Sequence, residues 1–258
     1  MTLFALLVVG VVGLMLGSFF NVCIARLPRG ESVVTPPSHC PNCNTPIKWY
    51  DNIPVVSFLV LGAKCRACRA PISIRYPLVE LTTAVAFVLQ AIAFPDDLVL
   101  LASRLVLTSM LIVLFGTDYD TQRLPNVITL PGIVVGIGFS FFTPPGIVSS
   151  LIGAALGAGI LFAVRWTWRK LRGVDAMGLG DVKMLAMIGA FLGWRQVWVV
   201  LFFASLTGAV TGVLLTMRPG RSMQTRLPFG TFLAIAAYAA SIVGERLLTW
   251  YLGLYAGG

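Results

Sequence analysis

The run Leu3-Phe4-Ala5-Leu6-Leu7-Val8-Val9-Gly10-Val11-Val12-Gly13-Leu14-Met15-Leu16-Gly17-Ser18-Phe19-Phe20-Asn21-Val22-Cys23-Ile24 contains no Asp, Glu, Lys or Arg. A helix of about 20 such residues crosses a hydrocarbon core of roughly 30 Å. The run decides the fold because others like it recur along the chain. Apolar segments follow near 77–95, 97–117, 126–143, 146–165, 181–193, 196–217 and 229–252. The one at 181–193 is short, so it either reaches back into the glycines before it or lies inside the bundle. Very short polar breaks join the segments at 97–117, 126–143 and 146–165, which predicts antiparallel neighbours. Composition agrees. The chain is 57% hydrophobic and 11% charged, against about 25% charged in a soluble domain. Its mean hydropathy is +0.89. The expectation is an all-α polytopic membrane protein with about eight transmembrane helices. The first run has no charged leader and no small-residue cleavage pattern before Arg26, so it reads as a retained span.

A net charge of +9 suggests nucleic acid in a soluble protein. In a membrane protein the excess has another source, because basic residues gather in cytoplasmic loops. With the N-terminus on the periplasmic side, all the basic residues except Arg104, Arg195 and Arg246 fall in the cytoplasmic segments. Arg218, Arg221 and Arg226 form the last of those groups. No nucleic-acid partner is expected, and membrane lipid is.

Residues 25–76 form the sizeable polar segment. It is too small to build a large core, so it needs a staple. Cys40-Pro41-Asn42-Cys43 and Cys65-Arg66-Ala67-Cys68 supply one, at the spacing of a tetrahedral four-cysteine zinc site. On the reducing cytoplasmic side thiolates stay available for metal. The competing reading, a pair of redox C-x-x-C motifs, expects a βαβ pattern nearby. Lys64, Arg66 and Arg69 would partly offset the site's negative charge. His39, the single histidine, reads as a bystander, and Cys23 as a small buried residue of the first span. Three parts result: a first span at 1–24, a cytoplasmic zinc-binding cysteine domain at 25–76, and a membrane-embedded domain at 77–258. No strong internal repeat stands out. The pairs Gly153/Gly157 and Gly208/Gly212 are spaced to let helix backbones approach.

Two carboxylates carry the chemistry. Asp118 ends one apolar run, in Asp118-Tyr119-Asp120-Thr121-Gln122-Arg123-Leu124-Pro125-Asn126. Asp181 opens another, in Gly178-Leu179-Gly180-Asp181-Val182-Lys183. The charge asymmetry places both at the same, cytoplasmic edge. An ionisable group at a membrane span is a functional candidate by default, and two of them form an acid–base pair able to activate water. The bland readings are an interfacial helix end for Asp118 and a helix-capping aspartate for Asp181. Gly178 and Gly180 form a supporting loop that lets a substrate chain come close. Lys183 belongs to that loop without a catalytic role, pairing with a carboxylate or a lipid phosphate. Pro125 forces Leu124 out of helix, and Asn126 is placed to cap the helix that follows. Asp120 points elsewhere. Glu80 is a third acid, about one turn into its span, and reads as structural.

Together these residues resemble the type IV prepilin peptidases, the bacterial prepilin leader peptidase/N-methyltransferases. The first-span signature is carried by Gly17-Ser18-Phe19-Phe20-Asn21-Val22 with Arg26-Leu27-Pro28. Pro36-Pro37-Ser38-His39-Cys40-Pro41-Asn42-Cys43 with Cys65 and Cys68 resembles the family's cytoplasmic cysteine domain. Ile72-Ser73-Ile74-Arg75-Tyr76-Pro77-Leu78-Val79-Glu80 is similar to the stretch entering its second span. Asp118 with Leu124-Pro125-Asn126, and Gly178 to Lys183, match its two catalytic-aspartate motifs. Pro228-Phe229-Gly230 resembles the last motif, with Thr231 where a second proline is common. The resemblance implies an aspartic endopeptidase of the bacterial inner membrane. Such enzymes cut the short basic leader from type IV prepilins and type II secretion pseudopilins at the cytoplasmic face. They usually also N-methylate the new terminal residue, with S-adenosylmethionine as methyl donor. The residues themselves identify no binding site for that donor, since no glycine-rich loop sits in a βαβ unit. Asp120, Asp175 and Glu31 are acids that could meet a basic leader. Two other classes compete. A proton-coupled transporter also pairs membrane carboxylates, but near the midplane. An assembly protein would use the zinc loop alone.

Overall fold

The computed structural model describes residues 1–173, 177–217 and 228–256. Asp175, Arg218, Arg221 and Arg226 lie outside the described residues. The described chain is helical, with two isolated β-bridges and no strand. It divides into two compact units, Met1–Leu101 and Ala102–Gly258.

The first unit holds α1 (Leu3–Arg26), the short α2 (Val56–Val60) and α3 (Arg75–Ala93). Pro28 and a left-handed Gly30 (φ 71°) end the α1 run in a 3-10 turn. α1 and α3 pack antiparallel along one glycine ridge. A Cβ at Gly13 would lie 2.7 Å from the Ala84 Cα, and one at Gly17 2.7 Å from the Glu80 Cα. With no side chain between them the backbones meet directly. Asn21 closes the pair by donating from Nδ2 to the Tyr76 carbonyl, at 3.1 Å. The opposite face of α1 exposes Leu3, Phe4, Leu7, Val11 and Met15, as a lipid-facing stripe does.

Glu80 has a structural job here. It is buried, and its Oε2 accepts the Val55 backbone N–H at 2.7 Å. Val55 has φ 62°, a genuine outlier for a β-branched residue. The carboxylate therefore holds the strained turn that starts α2. Glu80→Ala is expected to cost about 1–3 kcal/mol, read as a lower unfolding midpoint of the purified protein. Glu80→Gln, which still accepts, should recover most of it.

The second unit holds α4 (Leu98–Thr121, from its second turn), α5 (Asn126–Phe139), α6 (Ile147–Arg172), α7 (Leu179–Leu192), α8 (Trp194–Thr216) and α9 (Phe229–Ala256). Across both units α1, α3, α4, α6, α8 and α9 are long and apolar enough to cross a membrane, and α5 is a shorter apolar helix. With α7, eight helices match the eight expected apolar segments. The protein is thus a multi-pass membrane protein.

The short segment is the centre of its unit. Every residue from Met184 to Leu192 is buried, because α5, α6, α8 and α9 all pack on α7. α5 and α6 were expected to be neighbours of each other and of α4. They touch one another, but each lies chiefly on α7. A Cβ at Gly157 would lie 2.5 Å from the Leu185 carbonyl oxygen, and one at Gly189 would run into the Gly153 backbone. Gly208 differs from that expectation, since it faces the Phe232 ring at 3.5 Å and no backbone. At the far end of α7, Ser150 Oγ donates to the Ala190 carbonyl (2.6 Å) and Arg104 Nη1 to the Phe191 carbonyl (3.1 Å). These satisfy carbonyls that a helix end leaves open. They also give Arg104 a place apart from the loop basic residues.

Gly189→Ala is expected to lower the unfolding midpoint sharply, by about 1–3 kcal/mol in stability, because the obstacle is backbone. Gly159→Ala, which meets nothing within 4 Å, should leave the midpoint unchanged.

Candidate functional site

Asp118 sits in the last turn of α4 and is buried, 4% exposed, while Asp120 two residues on is exposed. Its Oδ2 accepts from the Thr231 backbone N–H at 2.8 Å and lies 3.1 Å from the Thr231 hydroxyl. Thr231 is the third residue of α9. First-turn N–H groups have no partner within their own helix, so Asp118 caps α9 from outside. Gly230 makes this possible, since a Cβ there would lie 2.9 Å from Oδ2.

Asp181 is in the first turn of α7 and 8% exposed. Gly178 is the N-cap, so the side chain of Asp181 is not the cap itself. A Cβ at Gly178 would sit 3.4 Å from Asp181 Oδ2. Asp181 Oδ1 is buried without a hydrogen-bond partner among the described residues. The two carboxyls come to one place, because Gly180, next to Asp181, and Gly230, against Asp118 Oδ2, both pack on Leu124. A buried polar atom of this kind calls for an explanation, and a reacting water between two carboxyls is one.

Leu124 holds the two helix starts apart. It lies outside helix, as Pro125 requires. Its Cβ is 2.9 Å from where a Gly180 Cβ would stand, and its Cδ1 3.1 Å from that of Gly230. Gly180 thus serves close contact with Leu124. Lys183 Nζ donates to the Asn126 Oδ1 at 2.9 Å. That replaces the expected pairing with an acid or lipid. It also corrects Asn126, which is the first residue of α5 behind the N-cap Pro125 and makes no cap. Thr231 and Leu124 are named in the sequence reading but given no role at the site there. The signal for Thr231 was a polar residue directly after Pro-Phe-Gly at the start of an apolar run.

The four cysteines of the first unit converge. Their Sγ atoms all lie within 4.8 Å of one another, and Cys40 and Cys68 are 3.8 Å apart. Thiolates about 2.3 Å from a tetrahedral zinc have edges of about 3.8 Å, so the cluster can hold a metal ion. Two matching turns build it. Cys40 N–H donates to the Thr45 carbonyl and Asn44 N–H to the Cys40 carbonyl. Cys65 N–H donates to the Ala70 carbonyl and Arg69 N–H to the Cys65 carbonyl. Asn44 (φ 55°) and Arg69 (φ 60°) are the left-handed corners, and bridges His39–Pro46 and Lys64–Pro71 close the turns. This short structural repeat does not stand out in the sequence, which shares only Cys, Cys, Pro and Ile at matching places. His39 donates from Nδ1 to the Pro37 carbonyl at 3.1 Å and stays outside the cluster. Arg66 grips Asp51 through two nitrogens, at 2.6 to 3.1 Å, and that pairing holds the Asp51 carboxyl below its usual range. The Thr45 hydroxyl, 3.2 Å from Cys43 Sγ, pulls that thiol down as well.

Comparison with known proteins matches both regions of the chain. Residues 11–94, which contain all four cysteines, match the model of the bacterial peptidase A24 N-terminal domain. Residues 105–213, which contain both aspartates, match that of the type IV leader peptidase family. The chain is 40% identical over 266 residues to the prepilin leader peptidase/N-methyltransferase of Aeromonas hydrophila, covering 93% of this chain and 91% of that one. It is 35% identical to the protein of the same name from Pseudomonas aeruginosa, with the same two coverages. For that of Myxococcus xanthus the identity is 43%, over 82% of this chain and 63% of the relative. No solved structure matches.

Proposed function

The chain belongs to the type IV leader peptidase family, and from that premise we propose that it cuts the leader from prepilin-type substrates and methylates the new N-terminus. The observation that carries this is the buried pair Asp118 and Asp181, presented from two helix ends with one carboxyl oxygen lacking a partner among the described residues. Close carboxyls do not ionise together easily, so the pair holds one proton between them. The ionised carboxylate takes a proton from water as the water oxygen bonds to the scissile carbonyl carbon. The protonated partner gives its proton to the carbonyl oxygen. The tetrahedral diol then collapses and the C–N bond breaks. The amine leaves with the proton that the first carboxyl had taken, and a diol proton returns to the second. The products are a leader acid and a free amine, and the pair is restored.

Type IV prepilins and type II secretion pseudopilins are the substrate class, and the bacterial inner membrane is the setting. The excess of Lys and Arg on one side supports both aspartates lying at the cytoplasmic face, with the N-terminus periplasmic. The matching four-sulfur geometry supports zinc as the metal of Cys40, Cys43, Cys65 and Cys68. S-adenosylmethionine supplies the methyl group for the second activity, and the names of the relatives support that activity. Those names do not favour a transporter.

Mass spectrometry of a prepilin-like peptide incubated with the purified protein tests both activities. The expected result is one cut after the leader, and a product heavier by one methyl when S-adenosylmethionine is present. A product that stays unmethylated under those conditions removes the second activity. An intact peptide removes the first.

A further inference from the structure

Resting on the peptidase reading, we propose that Thr231 is the positioning residue that divides labour in the aspartate pair, making Asp118 the proton acceptor and leaving the shared proton to Asp181.

The two carboxyls sit in unlike surroundings. Asp118 Oδ2 receives the Thr231 N–H at 2.8 Å, with the hydroxyl 3.1 Å away. The hydroxyl also faces the Pro228 carbonyl at 2.8 Å, so its single proton is shared between two acceptors. The N–H has no such choice. It belongs to the first turn of α9, the positive end of that helix. An N–H can only donate, and donors aimed at a carboxylate favour its charged form. Both Thr231 groups lie at one oxygen, Oδ2, and the Gly230 backbone N–H adds to them. Asp181 is set differently: the Gly178 backbone N–H acts on its carboxyl, but Oδ1 is buried and without a hydrogen-bond partner among the described residues. A protonated carboxyl is the form that tolerates such burial best.

Among the described residues, few other charges face Asp118. On its own helix Tyr119 and Asp120 are exposed, and Arg123 lies beyond the helix end. α7 presents Asp181 itself and Lys183, whose ammonium is on Asn126. α5 carries no titratable residue, and on α9 the first is Tyr238. Among the described residues, the donors of Thr231 are the side-chain and backbone pair that Asp118 has and Asp181 lacks. They depend on the residue type. A proline there would bring neither N–H nor hydroxyl, and valine would keep only the N–H.

The test is the pH profile of kcat for peptide cleavage by purified wild type, Thr231→Ser, Thr231→Val and Thr231→Pro. Losing a donor lets the Asp118 carboxylate take up a proton at higher pH, so the acid limb moves upward. We expect Thr231→Ser to follow wild type. Thr231→Pro should shift the acid limb up by about one pH unit, with kcat on that limb lowered roughly tenfold and KM unchanged. Thr231→Val should fall between. Proline is tolerated in the first helical turn, and unfolding midpoints check this. If Thr231→Pro does not fold, the shift in Thr231→Val carries the test. Profiles that superimpose on wild type overturn the proposal, as does a loss that is equal at every pH. Asp118→Asn is the companion variant. If it still cleaves, the peptidase pair itself is wrong. If it is inactive while the Thr231 profiles stay unchanged, only the role of Thr231 falls.

Discussion

Asp118→Asn and Asp181→Asn each lower the cleavage rate of a prepilin-like peptide by about 10³-fold or more, while the protein still folds. A positioned acid or base contributes about 10²–10⁴-fold, and here one change removes the proton traffic of both. The fold should persist for stated reasons. An asparagine oxygen at 118 still accepts the Thr231 N–H and hydroxyl. Asparagine at 181 has the volume of aspartate and relieves the charge of Asp118 felt there. The unfolding midpoint and metal content should therefore stay at wild-type values. Methylation of a pre-cut peptide should also survive, because it needs no proton relay through this pair.

Replacing any one of Cys40, Cys43, Cys65 or Cys68 with Ser removes the bound metal and opens the segment between α1 and α3. Loss of an outer-shell partner already costs a metal site about 10–100-fold in affinity, and loss of a thiolate ligand should cost more. The segment has little else to hold it. Trp49, Leu59 and Val60 are exposed, and Cys40 and Ser57 are its only buried residues. Metal binding and folding are then one event. Metal analysis should find about one zinc per chain in the wild type and a large deficit in each variant. Limited proteolysis should cut the variants, and the chelated wild type, between residues 30 and 74. Arg66→Ala is the control. Arg66 grips Asp51 and supplies no sulfur ligand, so the metal should stay.

The lipid-crossing helices were legible because membrane burial writes itself as length without charge. The runs at 3–24 and 229–252 needed no tertiary information, and α1 and α9 overlie them. The cysteine cluster was legible because metal geometry constrains spacing. Two C-x-x-C pairs forecast the meeting of four sulfurs, and Asp118 and Asp181 announced themselves as acids at the ends of apolar runs. What could not be read depends on which side chains meet across helices. Nothing in Gly178-Leu179-Gly180-Asp181 says that α7 is surrounded on every side, since a buried helix and a lipid-facing one look alike in composition. Asn126 has the chemistry of a cap, yet Pro125 takes the N-cap place and the ammonium of Lys183 claims its oxygen. Thr231 stands 113 residues from Asp118 in sequence. Its N–H matters only because α9 begins beside the end of α4, a fact of packing that no local pattern encodes.

Activation of water between Asp118 and Asp181 is tested directly by isotope labelling. A prepilin-like peptide is cut by the purified protein in ¹⁸O-labelled water under single-turnover conditions, and every fragment is weighed by mass spectrometry. The account predicts one cut, with the label in the new carboxyl group of the leader and none in the enzyme peptides that carry Asp118 and Asp181. Label in either aspartate would mean that the carboxylate attacked the carbonyl itself, and an uncut peptide would mean that the pair does not activate water for this substrate. Either result contradicts the account.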